Sequence, residues 1–134
     1  SQMAPVDSSD IRSHNWKALI NRMWCVSQFP DEYNPVHVHT GCTVSAVTYL
    51  KVPDVLPGRK DNNQNIDGSI NFISGASRDV LLSNPTLSMR PVVGDLYIFG
   101  ANQLHAVYPF RCQSDQQETE RRSVSFNAHV AIAE

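Results

Sequence analysis

From Met23 onward, short apolar segments rich in β-branched and aromatic residues alternate with polar turn residues, and no helical pattern follows. Segments of this length and composition predict strands. Gly, Pro, Asn and Asp residues separate these segments and predict turns. The predicted strands are MWCVSQF (23–29), VHVHT (36–40), TVSAVTYLKV (43–52), SINFIS (69–74), LSMRPV (87–92), DLYIFG (95–100), HAVYPFRC (105–112) and RRSVSFNAHVAI (121–132). This spacing predicts an all-β sandwich or barrel.

A single helix is predicted before the strands, over residues 8–20 (SSDIRSHNWKALI). The segment opens with Ser and Asp, which are favoured at helix N-caps. Ile11, Trp16, Leu19 and Ile20 follow at roughly helical spacing. We therefore expect a short N-terminal helix.

The final predicted strand has two chemically different faces. One face carries polar side chains and the other mostly apolar ones, because side chains alternate along a strand. We expect the apolar face to pack against the N-terminal helix, and a polar face lining the barrel interior would form a binding site. The polar set is Arg121, Ser123, Ser125, Asn127 and His129, and the other set is Arg122, Val124, Phe126, Ala128, Val130 and Ile132.

Two polar segments are predicted to be loops. Residues 53–68 form a long segment that includes Arg59 and Lys60. Loops of that length are usually functional or mobile, so this one is a candidate lid or a solvated loop. Residues 113–120 are acidic and predicted to form an exposed hairpin tip.

Composition narrows the class of protein. The 134 residues are predicted to form one domain, 1–134, with a net charge of −2 that gives no indication of nucleic-acid binding. No apolar run is long enough to span a membrane, and the start shows no signal-peptide pattern. The three cysteines, Cys25, Cys42 and Cys112, are odd in number and widely scattered, which argues against a disulfide framework and favours a cytoplasmic location.

The segment NPVHVHTGC (34–42) contains two of the five histidines. His37 and His39, at positions i and i+2 of a predicted strand, share a face about 6 to 7 Å apart and can converge on one metal ion. His105, at the start of another predicted strand, is the best candidate for a third ligand. Alternatives are a pair of ordinary strand histidines, or a structural zinc site that includes Cys42.

These pieces together resemble a known family. The chain is similar to iron(II)- and 2-oxoglutarate-dependent oxygenases, and most to a small group with the ordered pattern HVH (37–39), SAVTYL (45–50), GDLYIF (94–99), HAVYP (105–109) and RRSVSFN (121–127). The match covers roughly residues 24–130. The resemblance implies a double-stranded β-helix, which is also called a jelly roll and is cupin-like.

The resemblance also implies roles for particular residues. His37, His39 and His105 would bind the metal, although the wider superfamily has aspartate where His39 stands, which leaves the second ligand and the identity of the metal open. Arg121 and Ser123 would hold the distal carboxylate of 2-oxoglutarate. Alternation itself selects Arg121 over Arg122, because Arg121 shares the polar face.

Tyr49 matches a tyrosine that donates to the same carboxylate in the prolyl-hydroxylase-like branch. The alternatives are a core aromatic role for Tyr49, and for Arg121 a solvent-facing charge paired with Glu118 or Glu120.

The implied activity is that of a dioxygenase, in particular a hydroxylase. It would use Fe(II), O2 and 2-oxoglutarate as co-substrate to oxidise a small-molecule or peptide substrate, and the protein could be a homodimer. Two other functions stay open: a cupin-like three-histidine dioxygenase that needs no 2-oxoglutarate, and a non-catalytic metal-binding jelly-roll module. Arg121 discriminates between the 2-oxoglutarate-dependent dioxygenase and the cupin-like dioxygenase, since only the former requires a carboxylate-binding cation.

Overall fold

The computed structural model describes residues 14–57, 66–75 and 85–133, and these residues form eight β-strands. The strands are β1 (Trp16–Gln28), β2 (Asn34–His37), β3 (Val44–Lys51), β4 (Ile70–Ile73), β5 (Thr86–Met89), β6 (Leu96–Gly100), β7 (Leu104–Val107) and β8 (Arg121–Ile132). One sheet has the order β1-β8-β3-β6 and the other β2-β7-β4-β5, with every pairing antiparallel. Two facing four-stranded antiparallel sheets form a jelly roll, so the predicted fold class is confirmed.

The N-terminal helix prediction is wrong for its second half. Residues 16–20 form the first part of β1, residues 14 and 15 precede it without helical structure, and residues 8–13 lie outside the described part of the chain. Trp16 pairs with Ile132 and Ile20 with Ala128, so β8 offers this segment a complete ladder of backbone partners. A long-range strand partner overrides local helix propensity, and the bulky residues that suggested a helical stripe are equally good strand formers.

The two faces of β8 point as alternation predicts from Arg121 to Asn127, but not beyond, where Ala128 is buried and His129 is exposed. Arg121, Ser123 and Asn127 are buried inside, whereas Arg122 is exposed. The expected packing of the apolar face against a helix is not seen, because β1 lies beside β8 in the same sheet. Among the described residues, the outer face of this sheet is apolar and accessible, with Met23 60% and Ile98 63% exposed.

A small apolar core joins the two sheets. Val47 and Tyr49 of β3 meet Ile70 of β4, and all three are buried. Partly buried side chains pack around them: Val52, Phe72, Met89, Tyr97, Phe99 and Val107. The core fixes the spacing of the sheets and leaves the polar face of β8 directed at the interior.

The structure describes both ends of the first predicted loop, 53–57 and 66–68, and all of the second, 113–120. Leu56 N donates to Arg111 O at 2.8 Å and Gly68 N donates to Pro109 O at 2.9 Å, which ties both ends of the first loop to the segment after β7. The candidate lid residues Arg59 and Lys60 lie outside the described residues. In the second loop, residues 113–118 are mostly exposed.

A transmembrane helix is not among the described elements: none of these residues forms a helix both long and apolar enough to cross a bilayer.

Candidate metal and carboxylate site

Three histidines from distant parts of the chain converge inside the jelly roll. His37 of β2 is the register partner of His105 of β7, which places the two imidazoles side by side. His39 lies two residues past the end of β2, where its backbone N–H donates to Ala101 O at 2.9 Å. One ligand atom from each of the three rings lies within 4.8 Å of the other two. Separations of this size suit three ligands of a single metal ion.

Backbone carbonyls fix the orientation of two of these rings. His37 Nδ1 lies 2.7 Å from Pro35 O, and His105 Nδ1 lies 2.9 Å from Gln103 O. Because a carbonyl oxygen can only accept, each Nδ1 carries the proton and each Nε2 keeps its lone pair. This outer hydrogen bond to the far ring nitrogen is the arrangement found for metal-binding histidines.

His39 completes the group. Its Nε2 lies 3.3 Å from Nε2 of His105, with the two rings stacked at an interplanar angle of 7°. The lone pair of His105 faces this neighbour, so a proton or a cation must lie between the two nitrogens to prevent repulsion. A divalent cation among the three rings satisfies this requirement.

The surroundings favour neutral imidazoles. Burial lowers the pKa of His39, and nearby His37 and Arg22 lower it further. Burial also lowers the pKa of His105, assisted by the other two histidines and opposed by the hydrogen bond to Gln103. A lowered pKa keeps the ring unprotonated at neutral pH, which is the form that binds metal.

Aromatic side chains surround the imidazoles. The ring of Phe99 lies 4.7 Å from that of His105, and the ring of Trp24 lies 5.8 Å from that of His39. Phe72 packs edge-on against Phe99 at 5.0 Å. These rings restrict the imidazole rotamers and make one wall of the site apolar.

Arg121 lies on the wall of the same cavity. Its side chain is 4% exposed and donates hydrogen bonds to Gly68 O through Nη1 and to Gln28 Oε1 through Nη2. The ring of Phe110 lies 5.4 Å from the guanidinium carbon. Burial lowers the pKa of Arg121, but an arginine retains its charge at neutral pH.

The adjacent Arg122 has a different environment. It is exposed and bonds to Glu120, whose carboxylate also lies near Lys51. The acidic loop residues Glu118 and Glu120 therefore pair with Lys51 and Arg122, whereas Arg121 points inward. The alternative of an outward-facing Arg121 does not hold.

Tyr49 and Ser123 face the interior beside Arg121. They are cross-strand partners of β3 and β8, 3% and 9% exposed. Burial raises the pKa of Tyr49 to about 12, although nearby Arg121 opposes the shift. The phenol is therefore protonated at neutral pH and can donate a hydrogen bond.

One cavity connects the histidines with Arg121 and Ser123. The described residues that line it include the three histidines, Arg121 and Ser123, and none of them is Asp or Glu. Tyr49 is not among the lining residues. Ser125, of the predicted polar face of β8, lines the cavity too, whereas other lining residues were not identified from the sequence: Trp24, Val26, Gln28 and Asn34 are examples. The alternation of Trp24, Val26 and Gln28 with exposed Met23, Cys25 and Ser27 was the available signal.

The remaining candidates lie apart. His129 is exposed, and Cys42 Sγ lies 3.8 Å from Ser45 Oγ and is not part of the histidine group. The zinc alternative that includes Cys42 therefore lacks support from the geometry.

Gly68 offers a direct test of the packing behind Arg121. Its φ is +73°, and a Cβ atom there would lie 3.2 Å from Phe110 Cβ. We expect Gly68→Ala to lower the free energy of unfolding by about 1–3 kcal/mol, since it adds backbone strain and crowding. Gly41→Ala is the control, because Gly41 has φ +69° with no atom within 4 Å. Urea unfolding of both variants checks this, and equal losses would contradict a packing role for Gly68.

Fold and site together define a class. An antiparallel jelly roll with three convergent imidazoles in an internal cavity is a cupin-like arrangement that could hold a metal ion. A family model described as "Putative 2OG-Fe(II) oxygenase", in which 2OG is 2-oxoglutarate, matches residues 22–127. The chain therefore belongs to this family of oxidoreductases, which implies Fe(II) and 2-oxoglutarate as cofactors.

A solved structure supports the fold. The chain is similar to an oxidoreductase of the 2OG-Fe(II) oxygenase family from Burkholderia pseudomallei, with 17% identity and a TM-score of 0.57. The similarity covers 84% of this chain but 44% of that one, so this chain spans less than half the length of its structural neighbour. No curated protein matches the sequence.

Proposed function

We propose that this protein is an Fe(II)- and 2-oxoglutarate-dependent dioxygenase that hydroxylates its substrate. The observation that carries the proposal is that three clustered imidazoles and a buried guanidinium line the same cavity. None of the described residues that line this cavity is a carboxylate. The imidazoles provide sites for a cation, and the guanidinium provides a site for an anion. A metal chelated by a dicarboxylate co-substrate needs both.

The three histidines would hold the iron. The Nε2 atoms of His37 and His105 have free lone pairs, and His39 adds the third ligand, so the donor set fits a divalent ion with open positions. When bound, Fe(II) would activate O2, and 2-oxoglutarate, itself oxidised to succinate and carbon dioxide, would supply electrons that together with those taken from the substrate reduce O2. The protein orients the ligands and excludes water.

Neutral ligands affect the charge of this site. A histidine at position 39, where the wider superfamily has aspartate, leaves the full charge of the metal without compensation from the protein. Such a site favours anionic ligands, and 2-oxoglutarate brings two carboxylates. It also holds a hard cation less tightly than a site with one carboxylate ligand, so we propose that the co-substrate contributes to retention of the metal.

Arg121 would bind the distal carboxylate of 2-oxoglutarate. A guanidinium can donate two parallel, charge-assisted hydrogen bonds to a carboxylate. Tyr49 is protonated and Ser123 is the neighbour of Arg121 on the same face, so both would add neutral donors. Removal of this charge from water is unfavourable unless an anion compensates it, which supports a ligand role for Arg121.

The class of substrate is proposed from the resemblance and the size of the chain. We propose a small molecule or an exposed peptide side chain as substrate, with O2 as the oxidant. The single domain 1–134, the cytoplasmic location and a homodimer remain predictions.

Two other functions have specific support. The three-histidine ligand set also suits a dioxygenase that needs no 2-oxoglutarate, and it suits zinc with one open position. Neither function accounts for a buried Arg121 whose hydrogen-bond acceptors are a backbone carbonyl and an amide. The 2-oxoglutarate-dependent function uses both the three imidazoles and the buried guanidinium, so we favour it.

The test is turnover of 2-oxoglutarate. We expect anaerobically prepared protein, loaded with Fe(II) and then exposed to O2, to convert 2-oxoglutarate to succinate slowly without substrate. Succinate measured by mass spectrometry checks this, with metal-free and Zn(II)-loaded protein as controls. Tight zinc binding without any decarboxylation would indicate the binding module instead. Oxidation of an added substrate without 2-oxoglutarate would indicate the other dioxygenase.

A further inference from the structure

Gln28 is the closest polar neighbour of Arg121 on the adjacent strand. The two residues are register partners at the end of the β1–β8 pair and face the same interior. Gln28 is 8% exposed, and its Oε1 accepts the hydrogen bond from Arg121 Nη2. The side chain of Gln28 therefore determines where one edge of the guanidinium lies.

The orientation of Gln28 is itself fixed. Its Nε2 donates to Glu32 O at 2.6 Å, which leaves Oε1 directed at Arg121. The carboxylate of Glu32 accepts from Phe29 N at 2.8 Å instead of approaching the cavity. A carboxylate is thus available in the adjacent turn, but the backbone of that turn engages it.

The acceptors around Arg121 are neutral. Gly68 provides a carbonyl, Gln28 an amide and Phe110 a ring face. Within the described residues no carboxylate forms an ion pair with Arg121. Neutral acceptors orient a guanidinium without cancelling its charge, so its electrostatic attraction remains available for a ligand.

We propose that Gln28 is a positioning residue for the co-substrate: it holds the Arg121 guanidinium in place while leaving its positive charge to the distal carboxylate of 2-oxoglutarate. This inference rests on the proposed function. It explains why an amide, and not the similarly shaped carboxylate, lies beside this arginine. A carboxylate at position 28 would form an internal ion pair and compete with the ligand.

The decisive variant is Gln28→Glu, which preserves the shape of the side chain and adds a negative charge. We expect its dissociation constant for N-oxalylglycine, measured calorimetrically with Mn(II)-loaded protein, to rise by about tenfold or more. The KM for 2-oxoglutarate should rise similarly, with kcat at saturation changed by less than the KM. The affinity for Mn(II) alone should stay within about twofold, because Gln28 does not contact the histidines.

Thermal unfolding provides a readout that a purely structural role would not produce. Gln28→Glu replaces a neutral contact to Arg121 with an ion pair but loses the donor to Glu32 O, so its unfolding temperature without ligand is measured first as the baseline. The increase in unfolding temperature on addition of N-oxalylglycine should be smaller than in wild type. Lower unfolding temperature together with wild-type ligand affinity would indicate a structural role only and overturn the inference.

The arms of the experiment separate the two proposals. Wild-type affinity in Gln28→Glu, together with lost affinity in Arg121→Leu, would overturn the inference about Gln28 and leave the proposed function intact. Wild-type affinity in Arg121→Leu would overturn the proposed function as well. If Gln28→Glu does not fold, Gln28→Met replaces it: several-fold weaker binding supports positioning, and unchanged binding refutes it.

Discussion

Arg121→Leu is expected to weaken binding of 2-oxoglutarate by roughly 100-fold or more, and Arg122→Leu by less than about twofold. The two arginines are adjacent in the sequence but lie on opposite faces of β8. Arg121 is 4% exposed and lines the cavity, whereas Arg122 bonds to Glu120 at the surface. The pair is a matched control, since both changes remove the same charge from the same strand.

The size of the effect follows from desolvation. A charged hydrogen bond in a buried site contributes far more to the free energy of binding than one at the surface, where water and salt screen it. Loss of the guanidinium leaves the ligand carboxylate without its counter-ion inside the cavity. Calorimetric titration of N-oxalylglycine into Mn(II)-loaded protein measures the effect, with unfolding temperature as a check on the fold.

Equal affinities for the two leucine variants would contradict the assignment of Arg121. Retained metal binding together with retained oxygenase activity in Arg121→Leu would favour the three-histidine dioxygenase that does not use 2-oxoglutarate. The variant thus tests both the residue and the class of reaction.

His105→Ala is expected to lower the affinity for Mn(II) by more than about 100-fold and to abolish succinate formation. Loss of a residue that only supports a ligand already costs 10- to 100-fold in affinity, so loss of a ligand costs more. His105 is 3% exposed and lies 3.3 Å from His39 and beside His37, which places it at the centre of the group. His129→Ala serves as the control, because His129 is exposed on β8 and lies outside the group.

Anaerobic titration monitored by calorimetry measures the metal affinity of both variants, with metal-free circular dichroism to confirm the fold. A wild-type affinity in His105→Ala would show that the metal binds elsewhere and would remove the basis of the proposed function. Equal losses in His105→Ala and His129→Ala would show that the effect is not specific to the cluster.

Several features could be predicted from the sequence because they depend on local periodicity. Each of the eight predicted strands overlaps an observed one, and alternation alone placed Arg121 inside and Arg122 outside. The pairing of His37 with His39 was also local, although His39 lies beyond β2 and a hydrogen bond to Ala101 positions its backbone. The roles of these residues in binding stay predictions.

Other features depended on partners far along the chain. Residues 16–20 have a composition compatible with helix or strand, and β8, more than 100 residues later, makes them a strand. Gln28 has no motif of its own, and only its register with Arg121 shows what it contacts. Neither relationship is encoded within a window of neighbouring residues.

The sequence by itself determined the all-β class, the faces of β8 and the set of histidines, since period-two alternation and residue chemistry are properties of short segments. The tertiary structure alone decided that β2 and β7 pair, which brings His37 against His105, and that the acceptors around Arg121 are neutral. The physical reason is that strand pairing and burial are non-local. They determine which polar groups are buried in the same cavity. The charges of those desolvated groups determine whether the cavity favours a cation or an anion.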